Sequence, residues 1–370
     1  MAAPRLLFVC SELIVGGAER QWSLLIPRLR PRFDVSVLTL VGEGPFFGQL
    51  QEAGVPVDCA WMRRRTDLRG WRRALRHAGE RPDLVVTQSI NADIVGNVIA
   101  SRAKAVHVST AHFNVGPGAP RSRHRDLLAR LLAPRVDGVI AVSEAQLPRL
   151  QELGHRSGTI RIVANGVEPP VAARPAHEMR EALGVGPDEF LALLVATLRP
   201  EKRADLFVAA ARRAHAADPR VRGVVAGGGP ELERVRAAAG GDAVVQVLGS
   251  RADVPDLMVA ADAVCLSSDA EGVPMALLEA MALGRAAVAT RVGGVSEAVD
   301  HERTGLLVPL DDEEAFAAAL LRLASDPELR ARLGENAQRR HRERFGIDRM
   351  VEEYARVFEA VLEAKRSESV

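Results

Sequence analysis

The sequence predicts an α/β protein built as two doubly wound, Rossmann-like parallel-sheet domains. Three observations lead there. The chain has 370 residues, more than one ordinary open sheet needs and enough for two domains that each bury a core. Short apolar, β-branched runs alternate with helical stretches along almost its whole length, the pattern of parallel strands joined by crossover helices. The alternation pauses at Pro169, Pro170 and Pro175, which mark a linker.

Taken in order, strands are expected at 6–10, 34–40, 56–60, 84–87, 106–110, 138–142 and 159–163. With helices between them these complete one domain. The pattern restarts at 190–196 and recurs at 223–226, 244–248, 263–266, 286–290 and 305–308. Helical stretches at 328–344 and 348–365 have no strand after them, so the last is expected to cross back to brace the first domain. The expected division is a first Rossmann-like domain at 1–170, a second at 171–347, and a C-terminal helix within 348–370. Ligands of open α/β sheets bind beyond the carboxyl ends of the strands, so the two domains are expected to face each other across a cleft lined by strand-to-helix loops.

Composition narrows the class. Hydrophobic residues make up 47% and charged residues 26%, the balance of a soluble globular chain. Aromatics are only 4%, so Ala, Leu and Val must fill the core. Cys10, Cys59 and Cys265 are odd in number and far apart, which reads as buried thiols in a reducing, cytoplasmic compartment and not as a disulfide set or metal site. No stretch reaches the ~18 apolar residues of a transmembrane helix, and the apolar run at the start is too short for a signal sequence.

The net charge of +1 hides an asymmetry: residues 1–170 carry 23 basic against 15 acidic side chains, the remainder 26 against 33. Much of the positive charge lies in Arg63, Arg64, Arg65, Arg69, Arg72, Arg73 and Arg76, interleaved with Trp61 and Trp71, and in Arg121, Arg123, His124 and Arg125. Two readings stand for these clusters: a solvated surface, or peripheral contact with anionic lipid or a phosphorylated acceptor.

The candidate site residues sit just after strands. Gly16 and Gly17 end the first strand loop and let backbone amides approach an anion at a helix N-terminus, although the loop is neither a dinucleotide fingerprint nor a P-loop. His112 follows the 106–110 strand, placed to donate to a sugar hydroxyl or a developing charge; a lone core His is the competing reading. Arg199 and Lys202 lie between a strand and its helix, where a cation runs against the helix dipole and asks for an anionic partner such as a diphosphate. Glu271 falls in the loop after the 263–266 strand; Gly272, Val273, Pro274 and Met275 then lead into a helix whose first amides can hold phosphate oxygens. Glu279, inside that apolar helix, needs a hydrogen-bonding partner that a ribose diol would supply. Asp269 with Glu271 imitates a metal-binding pair, but no third ligand lies near in sequence and no metal is expected. Gly227 to Gly229, Gly249 before Ser250 and Arg251, and Gly293 with Gly294 mark further close backbone approaches after strands.

In order, G-G-A-E at Gly16, A-H-F-N at Ala111, A-V-S-E at Ala141, N-G-V at Asn165, L-R-P-E-K at Leu198, G-G-G-P at Gly227, L-G at Leu248 and E-G-V-P-M-A-L-L-E at Glu271 resemble the retaining glycosyltransferases of family 4, with the GT-B fold. The resemblance covers about residues 5–364, and the E-x7-E segment is its specific part. It implies that Gly16 lies against the donor diphosphate, His112 binds the transferred sugar, Lys202 pairs with the diphosphate, Glu271 faces the sugar hydroxyls, Glu279 holds the ribose, and Gly249 to Arg251 lie beside the base. The chain departs from the family's G-R-L-x-x-x-K pattern: Thr197 stands where the Arg is expected, leaving Arg199 as the other cation for that role. The resemblance further implies a UDP- or GDP-sugar donor, a glycan, lipid-linked or small-molecule acceptor, no nucleic acid, no cofactor and no divalent metal. A nucleotide-sugar epimerase, a phosphorylase, or a nucleotide-sugar-binding protein without catalysis are the alternatives.

Overall fold

The computed structural model describes residues 3–14, 16–64 and 66–368. The chain divides into two compact units, one of Met1–Phe113, Pro120–Gly166 and Ile347–Val370, the other of Asn114–Ala119 and Val167–Gly346. Each is a parallel α/β layer structure.

In the first unit β1 (Arg5–Cys10), β2 (Asp34–Thr39), β3 (Val57–Cys59), β4 (Leu84–Gln88), β5 (Val106–Ala111), β6 (Gly138–Ala141) and β7 (Ile160–Ile162) form one sheet of order β3-β2-β1-β4-β5-β6-β7. Every pairing is parallel. Both faces of the central strands are covered, which is why every residue of β4 is buried, Thr87 and Gln88 included. The helix Ile347–Glu368 belongs to this core: Met350, Tyr354, Phe358 and Leu362 recur at i+4 and are all buried. Phe8 meets Trp22 at 5.2 Å and Phe358 at 6.1 Å between ring centroids, both edge-on. Burying Phe358 completely contributes about 2–3 kcal/mol by area.

In the second unit β8 (Phe190–Val195), β9 (Val221–Ala226), β10 (Val245–Gly249), β11 (Ala263–Leu266), β12 (Ala286–Thr290) and β13 (Leu306–Val308) form a parallel sheet of order β10-β9-β8-β11-β12-β13. Its core leans on small residues, as the composition requires: Ala204, Ala210, Ala211 and Ala214 of the helix Ala204–Ala217 are buried beside Phe207, which meets Phe316 edge-on at 6.4 Å.

All the expected strands are present, with ends moved by at most two residues. The largest shift is at β9, which starts at Val221 because Val221 pairs with Phe190 and the Arg222 guanidinium finds Glu189 at 2.9 Å. Cys10, Cys59 and Cys265 are buried free thiols, and burial pushes the Cys10 and Cys265 thiols up. No helix among the described residues is long and apolar enough to cross a membrane.

Candidate functional site

The order of the second sheet locates its site before any side chain is considered. From β8 the chain crosses to β9 on one side, and from β11 to β12 on the other, so a crevice opens beyond the carboxyl ends of β8 and β11. The loop after β8 carries Thr197, Arg199 and Lys202; the loop after β11 carries Asp269 and Glu271. The structure joins them: Lys202 Nζ donates to Glu271 Oε1 at 2.7 Å, with the Glu271 side chain 4% and the Lys202 side chain 18% exposed.

Both partners are held from behind. Lys202 ends a short 3-10 turn, Pro200–Lys202, and Ser267 Oγ donates to the carbonyls of Lys202 and Arg203 at 3.0 and 2.8 Å. Arg203, at φ +45°, then turns the chain into the helix Ala204–Ala217. Glu271 Oε1 also accepts from Ser268 Oγ at 2.6 Å. Its Oε2 has no hydrogen bond among the described residues and remains for another donor. The Glu271 backbone is pinned by Val115, N to O at 3.1 Å and O from N at 3.0 Å. Gly293, at φ +47°, fits under this bridge; a Cβ there would collide with the carbonyl oxygens of Glu271 and Val115.

Asp269 and Glu271 look in different directions. Asp269 lies against Gly118, where a Cβ would meet its carboxylate, and burial pushes its carboxyl up. Glu271 faces Lys202. Gly272, Val273 and Pro274 are buried and lead into the helix Met275–Ala282, whose N-cap, Pro274, offers no side-chain cap. Glu279, 5% exposed, lies within that helix.

Other glycines are explained by packing. Gly227 and Gly229, at φ +150° and +149°, press against the carbonyls of Ala196 and Leu198, so close backbone contact between the loops after β9 and β8 accounts for them without a ligand. Gly249 needs its φ of +72°, while Ser250 and Arg251 are exposed beyond it. Arg251 is engaged with Asp253 at 2.7 and 2.6 Å, an acid it shares with Arg174. Thr197 and Arg199 are exposed, joined only through the Arg199 amide and the Thr197 carbonyl at 2.8 Å.

In the first unit Gly16 is the N-cap of the helix Gly17–Leu29 with no side-chain cap, and a Cβ at Gly16 would strike the Glu19 carboxylate. His112 follows β5; its Nε2 is buried with no hydrogen-bond partner among the described residues, and burial pushes the imidazole down to about 4, so it is neutral at physiological pH. Of the basic cluster, Arg65 lies outside the described residues. Arg63, Arg64, Arg69, Arg72 and Arg76 are exposed, with Trp61 48% and Leu68 83% exposed among them, whereas Trp71 is half-buried. The helix Arg123–Leu132 has no buried residue at all; Leu127 and Leu131, one turn apart, are 58% and 56% exposed.

Sequence reasoning passed over Ser267, Ser268 and Val115. The serines directly precede the singled-out acidic loop and were legible as its support; Val115 is more than a hundred residues away, and nothing in the sequence pairs it with Glu271.

Two parallel sheets, each with a switch-point crevice, together with the solved structures they align to, place the chain in the GT-B class. A crystal structure of Anabaena HepE in complex with UDP aligns at TM-score 0.84 with 25% identity, covering 96% of this chain and all of that one. Sucrose-phosphate synthase from Thermosynechococcus elongatus aligns at TM-score 0.80 with 19% identity, covering 98% of this chain and all of that one.

Residues 15–170 match the model for Glycosyltransferase Family 4 and residues 176–340 that for Glycosyl transferases group 1. A putative glycosyltransferase, EpsD of Bacillus subtilis, is 30% identical over 70% of this chain and 71% of its own. The N-acetyl-alpha-D-glucosaminyl L-malate synthase of Bacillus anthracis is 30% identical over 64% of this chain, and a D-inositol 3-phosphate glycosyltransferase of Saccharomonospora viridis 31% over 67%. The chain spans 62% and 61% of the length of these last two. The chain belongs to the group 1, family 4 glycosyltransferases.

Proposed function

We propose that the protein is a retaining glycosyltransferase that moves a hexosyl or N-acetylhexosaminyl group from a UDP- or GDP-sugar to a glycan, lipid-linked or small-molecule acceptor without a divalent metal. The observation that carries this is the Lys202–Glu271 pair at the switch point of the second sheet. Lys202 Nζ has donors left over for a diphosphate, and Glu271 Oε2 has an acceptor left over for a sugar hydroxyl. Gly16, Gly17, Gly272, Val273 and Met275 supply backbone N–H groups for phosphate oxygens, while Pro274, which has none, fixes the turn between them; Glu279 takes the ribose, Gly249 to Arg251 flank the base, and Thr197 and Arg199 border the phosphates. The UDP bound in HepE supports a uridine donor.

Chemically, the bond between the anomeric carbon and the leaving phosphate oxygen breaks with its electron pair staying on that oxygen, and the acceptor oxygen bonds the carbon on the same face. The acceptor proton passes to the departing phosphate. Charge develops on the diphosphate and on the ring, so electrostatic stabilisation by Lys202 and the loop amides is the main demand, and no enzymic nucleophile is needed. His112, neutral, donates to the transferred sugar.

The test is a thermal-shift screen against UDP-, GDP-, ADP- and dTDP-sugars in excess EDTA, followed by NMR of the product's anomeric configuration. An inverted product or an absolute requirement for added metal would overturn the mechanism. Peripheral contact with anionic membrane through the exposed Trp61 cluster and the helix Arg123–Leu132 is part of the proposal, since both combine cations with unpacked apolar side chains.

A further inference from the structure

The second sheet has a charged cavity at the end away from Lys202 and Glu271. At the amino ends of β11 and β12 a space of about 290 Å³ is bounded by Asp262 before β11, Gly284 and Arg285 before β12, and Pro327 and Arg330 of the helix Pro327–Arg344. Three guanidiniums meet one carboxylate there. Asp262 Oδ2 accepts from the Leu191 amide at 2.8 Å and from Arg180 Nη1 at 2.9 Å, while its Oδ1 lies 3.5 Å from Arg330 Nη2, longer than an ordinary hydrogen bond. Arg330 is held in place by the Leu323 carbonyl, 2.8 Å from Nη1, and by the Phe190 ring, 5.5 Å from its guanidinium carbon. Arg285 donates from Nη2 to the Val259 carbonyl at 2.7 Å, yet its Nε is buried with no hydrogen-bond partner among the described residues. Burial pushes the Arg285 guanidinium below its ordinary range, and repulsion from Arg180 and Arg330 works against the attraction of Asp262. Three cations against one acid leave a net charge of +2 at the cavity. Largely buried cations without matching acids are unfavourable, and an anion that enters relieves them.

The surroundings narrow the anion. Guanidinium N–H groups fork onto the oxygens of a phosphate or carboxylate, and a phosphate dianion is the one that cancels the excess charge. The helix ends nearby need no ligand. Asp326 caps the Leu329 amide at 2.8 Å at the start of Pro327–Arg344. The last four carbonyls of Met275–Ala282 accept from the amides of Leu283, Gly284 and Arg285 and from Gln338 Nε2. The binding energy therefore rests on the arginines. Size sets the rest: the cavity lies at the lower limit of about 300 Å³ for small-molecule pockets, which suits a phosphoryl group carrying a monosaccharide or less and excludes a nucleoside diphosphate.

We propose that this cavity is a second anion site of the protein, separate from the donor crevice, which takes a single phosphate as the free ion or as a monoester of monosaccharide size, with Arg285 and Arg330 as its ligands. Isothermal titration calorimetry of the full chain in potassium chloride at matched ionic strength would follow inorganic phosphate, glucose 6-phosphate and UDP on the wild type, Arg285→Gln, Arg330→Gln and Lys202→Ala. Inorganic phosphate and glucose 6-phosphate are expected to bind and to compete with each other. Tighter glucose 6-phosphate would assign the site to a monoester, and tighter inorganic phosphate would assign it to the free ion. Each arginine substitution should weaken both about tenfold or more, as loss of one charge-assisted hydrogen bond would, and leave UDP binding unchanged. Arg330, with a side chain 25% exposed, answers if Arg285→Gln folds poorly. Lys202→Ala should weaken UDP and still bind phosphate. No saturable phosphate binding, phosphate binding lost in Lys202→Ala and kept in Arg285→Gln, or affinity indifferent to both arginine substitutions overturns the proposal.

Discussion

Removing the Glu271 carboxylate tests whether the pair at the second switch point is both structural and functional. At 2.7 Å the Lys202–Glu271 pair has a gross attraction of about 6 kcal/mol at an effective dielectric of 20, most of it offset by desolvation of two largely buried groups. Glu271→Ala loses that attraction and strands the Lys202 ammonium and the Ser268 hydroxyl, with partial relief because Lys202 is 18% exposed. The expected loss is about 3 kcal/mol, which lowers the melting transition of the second unit by roughly 6–10 °C. Folding at room temperature should survive, though with less margin than an exposed loop residue would allow. Glu271→Gln keeps an acceptor for Lys202 and Ser268, so its stability loss should be about 1 kcal/mol. Turnover should fall roughly a hundredfold or more in both variants. The double variant Lys202→Ala/Glu271→Ala should be less damaged than the sum of the singles, by about 2 kcal/mol. Calorimetry with a coupled nucleotide-release assay reads both quantities. A Glu271→Ala protein melting like wild type would refute the buried pairing; a Glu271→Gln protein with wild-type turnover would refute the functional role.

His112→Ala should reduce turnover by about two orders of magnitude with an unchanged far-ultraviolet spectrum, and a wild-type rate would return it to the core. Gly293→Ala should cost about 2–3 kcal/mol and impair turnover, since the methyl meets the Glu271 and Val115 carbonyls at a left-handed φ; chemical denaturation would check it. In the first unit Thr87 Oγ donates to Asp93 and lies 3.0 Å from His107 Nε2. Burial pushes the His107 imidazole from 6.5 down to about 4 and the Asp93 carboxyl from 3.8 up to about 6. His107 therefore contributes stability above 6.5 that is lost as pH falls through about 4, worth about 3 kcal/mol, while Asp93 opposes it by taking up a proton in the folded state between about 6 and 3.8. Asp93→Asn removes the opposing half, so the variant should be more stable at pH 7.5 and lose stability more steeply between pH 6.5 and 4; an unchanged slope would count against the network. Leu127→Ser with Leu131→Ser should weaken partition onto phosphatidylserine vesicles several-fold with no change in melting temperature, and equal partition would leave the helix Arg123–Leu132 an ordinary surface.

The strands were legible because parallel sheets buried on both faces leave continuous apolar runs, and the loops were legible because glycine, proline and acid cluster where runs stop. β9 was read short only because Arg222 interrupts its run, and its charge is absorbed by Glu189 in a way that no local pattern encodes. The E-x7-E segment stood out for a similar reason: a carboxylate at Glu279 inside an apolar helix contradicts its surroundings. What could not be read is what other parts of the chain bring. Val115 pins Glu271 across a separation with no periodicity, and Gly227 and Gly229 serve the packing of Ala196 and Leu198 although their spacing imitates a phosphate loop.

Gln88, whose buried Oε1 has no hydrogen-bond partner among the described residues, and Ser89, at φ +88°, were invisible for the deepest reason. Glutamine at a strand end and serine before a helix are unremarkable by type; only the backbone angle of one and the empty bonding position of the other set them apart, and both are properties of the folded chain. Strand order supplies the missing rule. Once each sheet is seen to reverse its direction of growth at β1/β4 and at β8/β11, residues immediately after those four strands become the first to examine, whatever their type. Lys202, Arg199, Glu271 and Gly16 follow from that geometry, as do Gln88 and Ser89 at the end of β4, whereas Arg251 follows the edge strand β10, away from the reversal, on an exposed loop.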